Sequence, residues 1–369
     1  MRFLRKIGIT RLDRYIIAKF IGTYIYSIAL IISISIVFDV NENLAKFTTN
    51  QAPLRAVVFD YYANFVPYFA NLFSPLFVFI AVIFFTSKLA GNSEVIAMLA
   101  SGTSFKRLLR PYMISAALIA ALNFWLGSEV IPKGNLVKQR FEAKYKRQRI
   151  VTSAENVQLQ VAPGVIAYIQ NYDNVYKRGY GFSLDKFEKK KLVSHFTANV
   201  IQYDTISDER YHWRAMNYKI RTLKGLREQI ESGTEMDTVI AMEPMDLVFS
   251  TGQQETLTSG DLFEYISKQK DRGSGNVVQY EVEYHKRVAS SFASFILTII
   301  GAALSSRKRK GGMGLYLGIG LALSFSYILL QTVSATFALN AGMPAVVAAW
   351  IPNILYSFIA YYIYRHAPN

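Results

Sequence analysis

Apolar and polar positions are distributed very unevenly along this chain. Residues 20–38 carry no charged side chain, nor do 61–87, 111–128 or 288–306, and the 54 residues from Gly311 to Tyr364 contain no Asp, Glu, Lys or Arg. An uncharged apolar run of about 18 residues or more is long enough to cross a hydrocarbon layer of roughly 30 Å as a helix. The last run holds two such helices, with Asn340-Ala341-Gly342-Met343-Pro344 as the turn between them. The pattern therefore predicts six transmembrane helices in two sets of three. A cleaved signal peptide is the competing reading of residues 1–38, but the apolar run is too long for one and no small-x-small cleavage site follows it.

Between the two sets the periodicity changes. Val157, Leu159 and Val161 alternate with polar neighbours, as do Tyr211, Trp213, Ala215 and Asn217. Period-two patterning of this kind, broken at Pro163-Gly164, Arg178-Gly179, Lys224-Gly225 and Ser232-Gly233, predicts short antiparallel strands. An all-β sandwich or open barrel is the natural packing of such strands. Helices are expected at both margins, over Lys133–Arg149 in continuation of the third span and over Ser259–Arg272 behind a Ser/Asp cap. The expected organisation is an N-terminal transmembrane bundle over 1–131, a β-rich domain over 132–280 and a C-terminal transmembrane bundle over 281–369.

Charge then orients the helices. The chain is 51% hydrophobic, 18% charged and +15 overall, with a mean hydropathy of +0.18. The segments 1–19, 88–110, 307–310 and 365–369 hold 15 Lys and Arg against only Asp13 and Glu94, leaving 26 basic and 24 acidic residues elsewhere. Nearly all the excess charge thus lies on one side, and the positive-inside rule puts that side, with both termini, in the cytoplasm. The cations occupy short membrane-flanking loops, so the net charge is no argument for a nucleic-acid partner. Tyr61, Tyr62, Trp125 and Trp350 fall at the opposite ends of their spans, and Tyr361, Tyr362 and Tyr364 at the basic end, as interfacial rings do.

Much chemistry is missing. There is no cysteine, so no disulfide or thiolate function is available. His195, His212, His285 and His366 are scattered without ligand spacing. No span carries an ionisable residue away from its ends, which argues against an ion-coupled carrier. No GxxxxGK[ST] loop is present to cradle ATP. Glu281 and Glu283, or Glu228 and Glu231, could be proposed as acid/base pairs, but no apolar pocket can be inferred around them and solvated surface carboxylates are the better reading. No enzyme, cofactor or metal is expected in this chain. If it moves something, a partner supplies the energy.

Three features remain. In the basic loop 87–111, Asn92 or Ser93 is placed to cap a short helix, Glu94 suits its dipole, and Gly102 ends it. Glu94, Ala97, Met98 and Ser101 share one face of that helix, which either docks in a partner's groove or lies on the headgroups. In span five, Gly314, Gly318, Ala322 and Ser326 form a stripe of small residues at i, i+4, which permits close helix approach within this chain or between subunits. At the outer mouth of span one, Lys46, with Arg55 beyond, either meets a phosphorylated headgroup or pairs with Glu42 one turn back.

Several stretches carry a family resemblance. TSKLAGNSEVIAMLASGTSFKRLLRP, the opening LDRYIIAKFIGTY, and YEVEYHKRVASSFASFILTIIGAALSSRKRKGG from Tyr280 resemble the lipopolysaccharide-export permeases of the LptF/LptG family. The resemblance runs along the whole chain and implies three helices, a periplasmic jelly-roll-like domain and three helices. It further implies a bacterial inner-membrane protein that pairs with a second permease of the same kind on a dimeric cytoplasmic ABC ATPase, which uses the ATP. Together they extract lipopolysaccharide and pass it to a periplasmic bridge protein. The family's coupling helix falls on 93–102, which makes Glu94 the expected ATPase contact. The family's lateral gate lies at spans one and five, and substrate phosphate meets cations at the outer end of span one, which brings in Lys46. Many members have a proline at the start of span four, where this chain has Ser290-Ser291. The alternative function is a membrane-anchored periplasmic binding or assembly protein without a transport path; a lipid-modifying enzyme is a third class, disfavoured by the missing catalytic groups.

Overall fold

The computed structural model describes residues 10–146, 153–204, 211–225, 227–247, 252–271, 277–306 and 312–367. Arg2, Arg5, Lys6, the cluster Arg307-Lys308-Arg309-Lys310 and the expected helix end at Arg149 lie outside them. The chain forms two compact units, one from Met1–Lys146, Glu255–Gly260 and Val278–Asn369, the other from Arg147–Gln254 and Asp261–Val277.

The first unit is helical. Helix α1 runs over Arg11–Thr49, 39 residues, or about 58 Å at 1.5 Å per residue. It overruns its uncharged stretch at both ends. Thr10 and Asp13 form a reciprocal capping box at its start, and nothing breaks the helix before Asn50. The uncharged run 61–87 is not one helix. A π-type turn over Val57–Tyr62 leads into α2 (Ala63–Leu72), and α3 (Ser74–Gly91) starts afresh after Phe73, whose φ of −94° and ψ of 8° interrupt the ladder. Pro75 sits in the first turn of α3, where the N–H it lacks has no helical partner to lose. The short α4 (Glu94–Ala100) follows, and then α5 (Phe105–Trp125), which continues through a π-type segment at Leu126–Val130 into α6 (Ile131–Tyr145).

After the insertion come α8 (Val278–Ser305), α9 (Gly312–Ala341) and α10 (Ala345–Arg365). Among the described residues six helical segments, α1, α3, α5–α6, α8, α9 and α10, are long and apolar enough to span a membrane. Helix α3 is their centre: Phe77, Val78, Phe79, Val82 and Ile83 are fully buried. Lipid tails are as apolar as these side chains, so close packing rather than water exclusion must hold the helices together. Gly320 of α9 permits the closest approach, since a Cβ there would stand 2.3 Å from Ile83 Cδ1 and 2.9 Å from Phe79 Cδ1.

The second unit is a six-stranded antiparallel meander in the order β1 (Ser153–Ala162), β2 (Val165–Asp173), β3 (Arg178–Glu188), β4 (Lys191–Tyr203), β5 (His212–Lys224) and β6 (Arg227–Val239). Two of the four expected breaks are turns, Pro163-Gly164 and Lys224-Gly225. The other two lie in strands. Arg178-Gly179 opens β3, the turn being made one step earlier. Gly233 lies within β6 opposite Tyr218, whose ring occupies the space a side chain would need, 2.7 Å from an added Cβ. A turn the pattern did not flag is Lys189-Lys190, with φ of 46° and 64°, the doubly positive geometry that joins two strands by two residues.

A transverse row interrupts the sheet. Pairing skips Asn156, Gln170, Gly181, Asn199, Asn217 and Thr234, which are successive cross-strand neighbours, and alternate members Asn156, Gly181 and Asn217 have positive φ of 54°, 64° and 51°. Asn and Gly are the residues that tolerate this conformation. The inward set changes parity across the row. Ile169, Phe182 and Ala198 face the core on one side, and Tyr172, Ile201 and Ala215 on the other. Asn217 is therefore exposed, although Trp213 and Ala215 keep the expected alternation. The core closes on Ile240, Met242 and Leu247, with Trp213 Nε1 donating to Met242 O at 3.0 Å. Helix α7 (Ser259–Asp271) completes the insertion, Gln269 Nε2 donating to Asp246 Oδ1 at 2.7 Å.

Candidate functional site

The basic end of the helical unit presents α4. Val95 is buried, and Met98 and Leu99 pack on the same core, so Met98 leaves the outward face on which helical spacing placed it. Ala97 and Ser101 stay exposed, Glu94 is half-buried, and Ile96, which the spacing argument passed over, is 51% exposed. An isoleucine in a short loop helix between two spans was the available signal. Neither expected residue caps the helix with its side chain. Ser93 has a φ of 63°, outside the extended region a capping residue occupies, and Asn92 Nδ2 instead donates to Glu94 Oε1 at 3.1 Å. The helix stops as expected: Gly102 takes a φ of +88°, and its N–H and that of Thr103 return to Leu99 O and Met98 O.

Immediately downstream, α5 is bolted to α1. Arg107 Nη1 and Nη2 donate to Asp13 Oδ1 and Oδ2 at 2.6 and 2.8 Å, and Nη2 also reaches Thr10 Oγ1 at 3.3 Å. The Asp13 carboxylate is 1% exposed. This fork places the start of the first span against the residues that follow α4.

The small stripe of α9 does not pack within the chain. Gly314, Gly318, Ala322 and Ser326 are all exposed, and an added Cβ at Gly314 or Gly318 would meet nothing within 4 Å. Ser326 alone is engaged, its hydroxyl hydrogen-bonding Tyr356 of α10. Only 22% of the apolar stretch of α1, and the same share of α9, is buried in the chain, against 78% for α3 and 61% for α8. The first and fifth spans are thus the helices this chain leaves least covered.

At the opposite end, Lys46 is exposed and its ammonium reaches Asn43 Oδ1 at 3.4 Å instead of Glu42. Arg55 is exposed in the short turn Leu54–Ala56. Sequence reasoning missed the buried hub beside them. Tyr61 and Tyr62 hydroxyls donate to the two oxygens of Asp39 at 3.0 and 2.9 Å. Lys146 donates to Tyr61 Oη at 2.6 Å, pairs with Glu142 at 3.4 Å and lies 4.1 Å from the Tyr61 ring centre. Burial pushes the Lys146 ammonium down, against the pull of Glu142 and Asp39. The hub ties the far ends of the first three spans together.

A second polar cluster lies between α2, α6 and α8. Glu283 accepts from Arg287 Nε at 3.0 Å, and Arg287 Nη1 also donates to Leu257 O at 2.9 Å. Glu283 and Arg287 line a cavity of about 70 Å³ with Glu255, so Glu283 is an ion-paired cavity residue and not a solvated carboxylate. Burial, with Glu283 nearby, holds the Glu255 carboxyl above its ordinary value of 4.5. Glu228, by contrast, is a surface partner of Arg221.

A model of the family described as lipopolysaccharide export system permease LptF/LptG matches residues 14–366. The chain belongs to the LptF/LptG permease family. Lipopolysaccharide export system permease protein LptG of Escherichia coli strain K12 is 20% identical over 356 residues, covering 95% of this chain and 97% of that protein, and LptG of E. coli O6:H1 matches equally. Membership makes this chain a multi-pass inner-membrane protein of lipopolysaccharide export, a transporter component and not itself an enzyme.

Proposed function

We propose that this chain is the permease subunit of an ABC transporter that draws lipopolysaccharide from the inner membrane and hands it to a periplasmic bridge protein. In this reading both termini and α4 face the cytoplasm, and the sheet unit is periplasmic. A dimeric ATPase, which binds the ATP, docks on α4, and a second LptF/LptG-type permease completes the path. The observation that carries the reading is α4 itself, a short helix at the basic end whose Ile96, Ala97 and Ser101 are exposed beside Glu94. Apolar and charged residues presented together on an ordered helix suit a groove in a partner, as in helix-in-groove recognition. The substrate path then follows the outward faces of α1 and α9, with Gly314, Gly318, Ala322 and Ser326 at the gate and Lys46 and Arg55 at its mouth. Acyl chains offer nothing to hydrogen-bond, so an apolar wall with cations at one end is the surface they require.

Affinity purification from native membranes tests the reading. The wild-type chain is expected to bring down a cytoplasmic ATPase, and Glu94→Arg or Ile96→Asp to lose it while the protein still inserts and folds. A charge-assisted contact at such an interface is worth about 1.5–3 kcal/mol, which is a loss of tenfold or more in affinity. Retention of the ATPase by both variants, or its absence from the wild type, favours the membrane-anchored assembly protein instead.

A further inference from the structure

At the basic end of the helical unit, on the side formed by α5, α8 and α10, an open groove of about 490 Å³ remains unassigned by the proposed function. Its wall is built at helical spacing. Leu109 and Met113 of α5, Ile296 and Ile299 of α8, and Ala360 of α10 supply an apolar floor. Tyr361 and Tyr364 stand at the terminal turn of α10, Tyr364 held against Phe105 with ring centres 6.0 Å apart. Lys106 and Arg110 lie on the same wall, one turn apart at the start of α5. Both are exposed, and neither has an acidic partner among the described residues. Arg365 adds a third cation at the rim, its Nε donating to Tyr361 Oη at 3.0 Å.

Any apolar face of a membrane protein is covered by acyl chains, so an apolar surface alone says nothing. What distinguishes this one is its concavity together with two unpaired cations at one end of it. From Lys106 to Met113 the wall extends seven residues, about 10 Å along the helix axis, the depth of a glycerol backbone and the first part of its chains. Cβ atoms one turn apart are about 5–6 Å from each other, so both cationic heads reach a single phosphodiester. Simple snorkelling of the two side chains to the interface is the competing account, and it requires no groove. We infer that the groove is a binding site for an anionic glycerophospholipid of the leaflet at the basic end, with the phosphate on Lys106 and Arg110 and the acyl chains on α8 and α10. The inference takes from the proposed function only that this leaflet is the cytoplasmic one, whose anionic lipids are drawn to basic segments at its surface. It lies away from the outward faces of α1 and α9 assigned to substrate.

Native mass spectrometry of the full-length protein in detergent, titrated with phosphatidylglycerol or phosphatidylcholine of matched chains, tests it. Phosphatidylglycerol is expected to bind in preference, and Lys106→Ala/Arg110→Ala to weaken it roughly 25-fold, at about fivefold per cation. The exchange Lys106→Arg/Arg110→Lys should keep the preference, which separates lost charge from lost fold. Ser357→Trp, placed to fill the groove, should weaken both lipids. Equal binding of the two lipids by the wild type, unchanged phosphatidylglycerol binding in the double alanine variant, or displacement by glycerol 3-phosphate or by lipopolysaccharide overturns the site. Binding in micelles does not depend on topology. Labelling of Ser104→Cys by an impermeant thiol reagent from the periplasmic side would therefore overturn the orientation alone, and leave the site standing.

Discussion

At the residue scale, the ion pair between Asp13 and Arg107 concentrates the most consequence in the fewest atoms. A carboxylate 1% exposed is costly to hold unless its charge is met, and here a guanidinium fork meets both oxygens while Thr10 supplies a backbone and a hydroxyl donor. Position gives the pair its mechanical meaning. Arg107 lies three residues into α5, directly after α4 and its glycine stop, so in the proposed reading a displacement of α4 by a docked partner would reach α1 through this contact. Arg107→Ala leaves the carboxylate with Thr10 alone and is expected to cost about 1.5–3 kcal/mol, read as a lower melting temperature in detergent. Asp13→Asn/Arg107→Ala should be less damaging than the two single changes summed, because groups in direct contact are coupled by about 0.5–3 kcal/mol. Strict additivity would show that the contact carries no energy. Lysine is not expected to substitute for Arg107, since it retains the charge but not the bidentate fork.

At the scale of elements, two glycines two residues apart in α9 make opposite predictions. Gly320 faces Ile83 and Phe79, both fully buried, and a side chain there has nowhere to go. Overpacking of this kind costs about 1–3 kcal/mol or more, so Gly320→Leu should lower the yield of folded protein and its melting temperature. Gly318 faces open space, and Gly318→Leu should insert and melt like the wild type yet reduce lipopolysaccharide transport if the stripe serves as a gate. Folding and transport assays on the two variants separate packing from gating, and normal transport by Gly318→Leu would remove the stripe from the path. The sequence made the six spans legible because hydrocarbon imposes length and charge limits that survive in any sequence. It marked the small stripe but not its direction, and it left Gly320 unremarked, because a helix pattern does not tell which face meets a neighbour. The strands were legible as alternation, but the row through Asn156, Gly181 and Asn217 was not. Three residues at positive φ invert the inward set, and period-two reasoning assumes that this never happens. The hub of Asp39, Tyr61 and Lys146 escaped for a different reason: its members are far apart in sequence and ordinary one by one.

For the whole molecule, the question is whether the uncovered helices carry substrate or merely meet bulk lipid. Exposure by itself does not decide this, because α10 also presents large side chains to its surroundings: Phe358 is 72% exposed, against 71% for Phe38 on α1 and 55% for Phe325 on α9. Phe358 and Phe38 are almost equally exposed and Phe325 is the more covered of the three, which makes these positions a controlled comparison. A photoreactive side chain at each samples an apolar environment, so unspecific contact with membrane lipid predicts similar yields of lipopolysaccharide adduct at Phe358 and Phe38 and no higher yield at Phe325. A transport path predicts an asymmetry, with adducts at Phe38 and Phe325 and few at Phe358. It also predicts that the asymmetry depends on the cycle, falling when the partner ATPase is inactivated, because a passing substrate occupies the path only while energy is supplied. In proteoliposomes containing the assembled transporter, substitution of Lys46 and Arg55 by Ala should lower the α1 adduct if those cations hold the phosphates, while leaving the Phe358 background unchanged. Uniform labelling at Phe38, Phe325 and Phe358, indifferent to ATP, would mean that lipopolysaccharide only surrounds the helices, and the chain would then act by anchoring its sheet unit at the membrane.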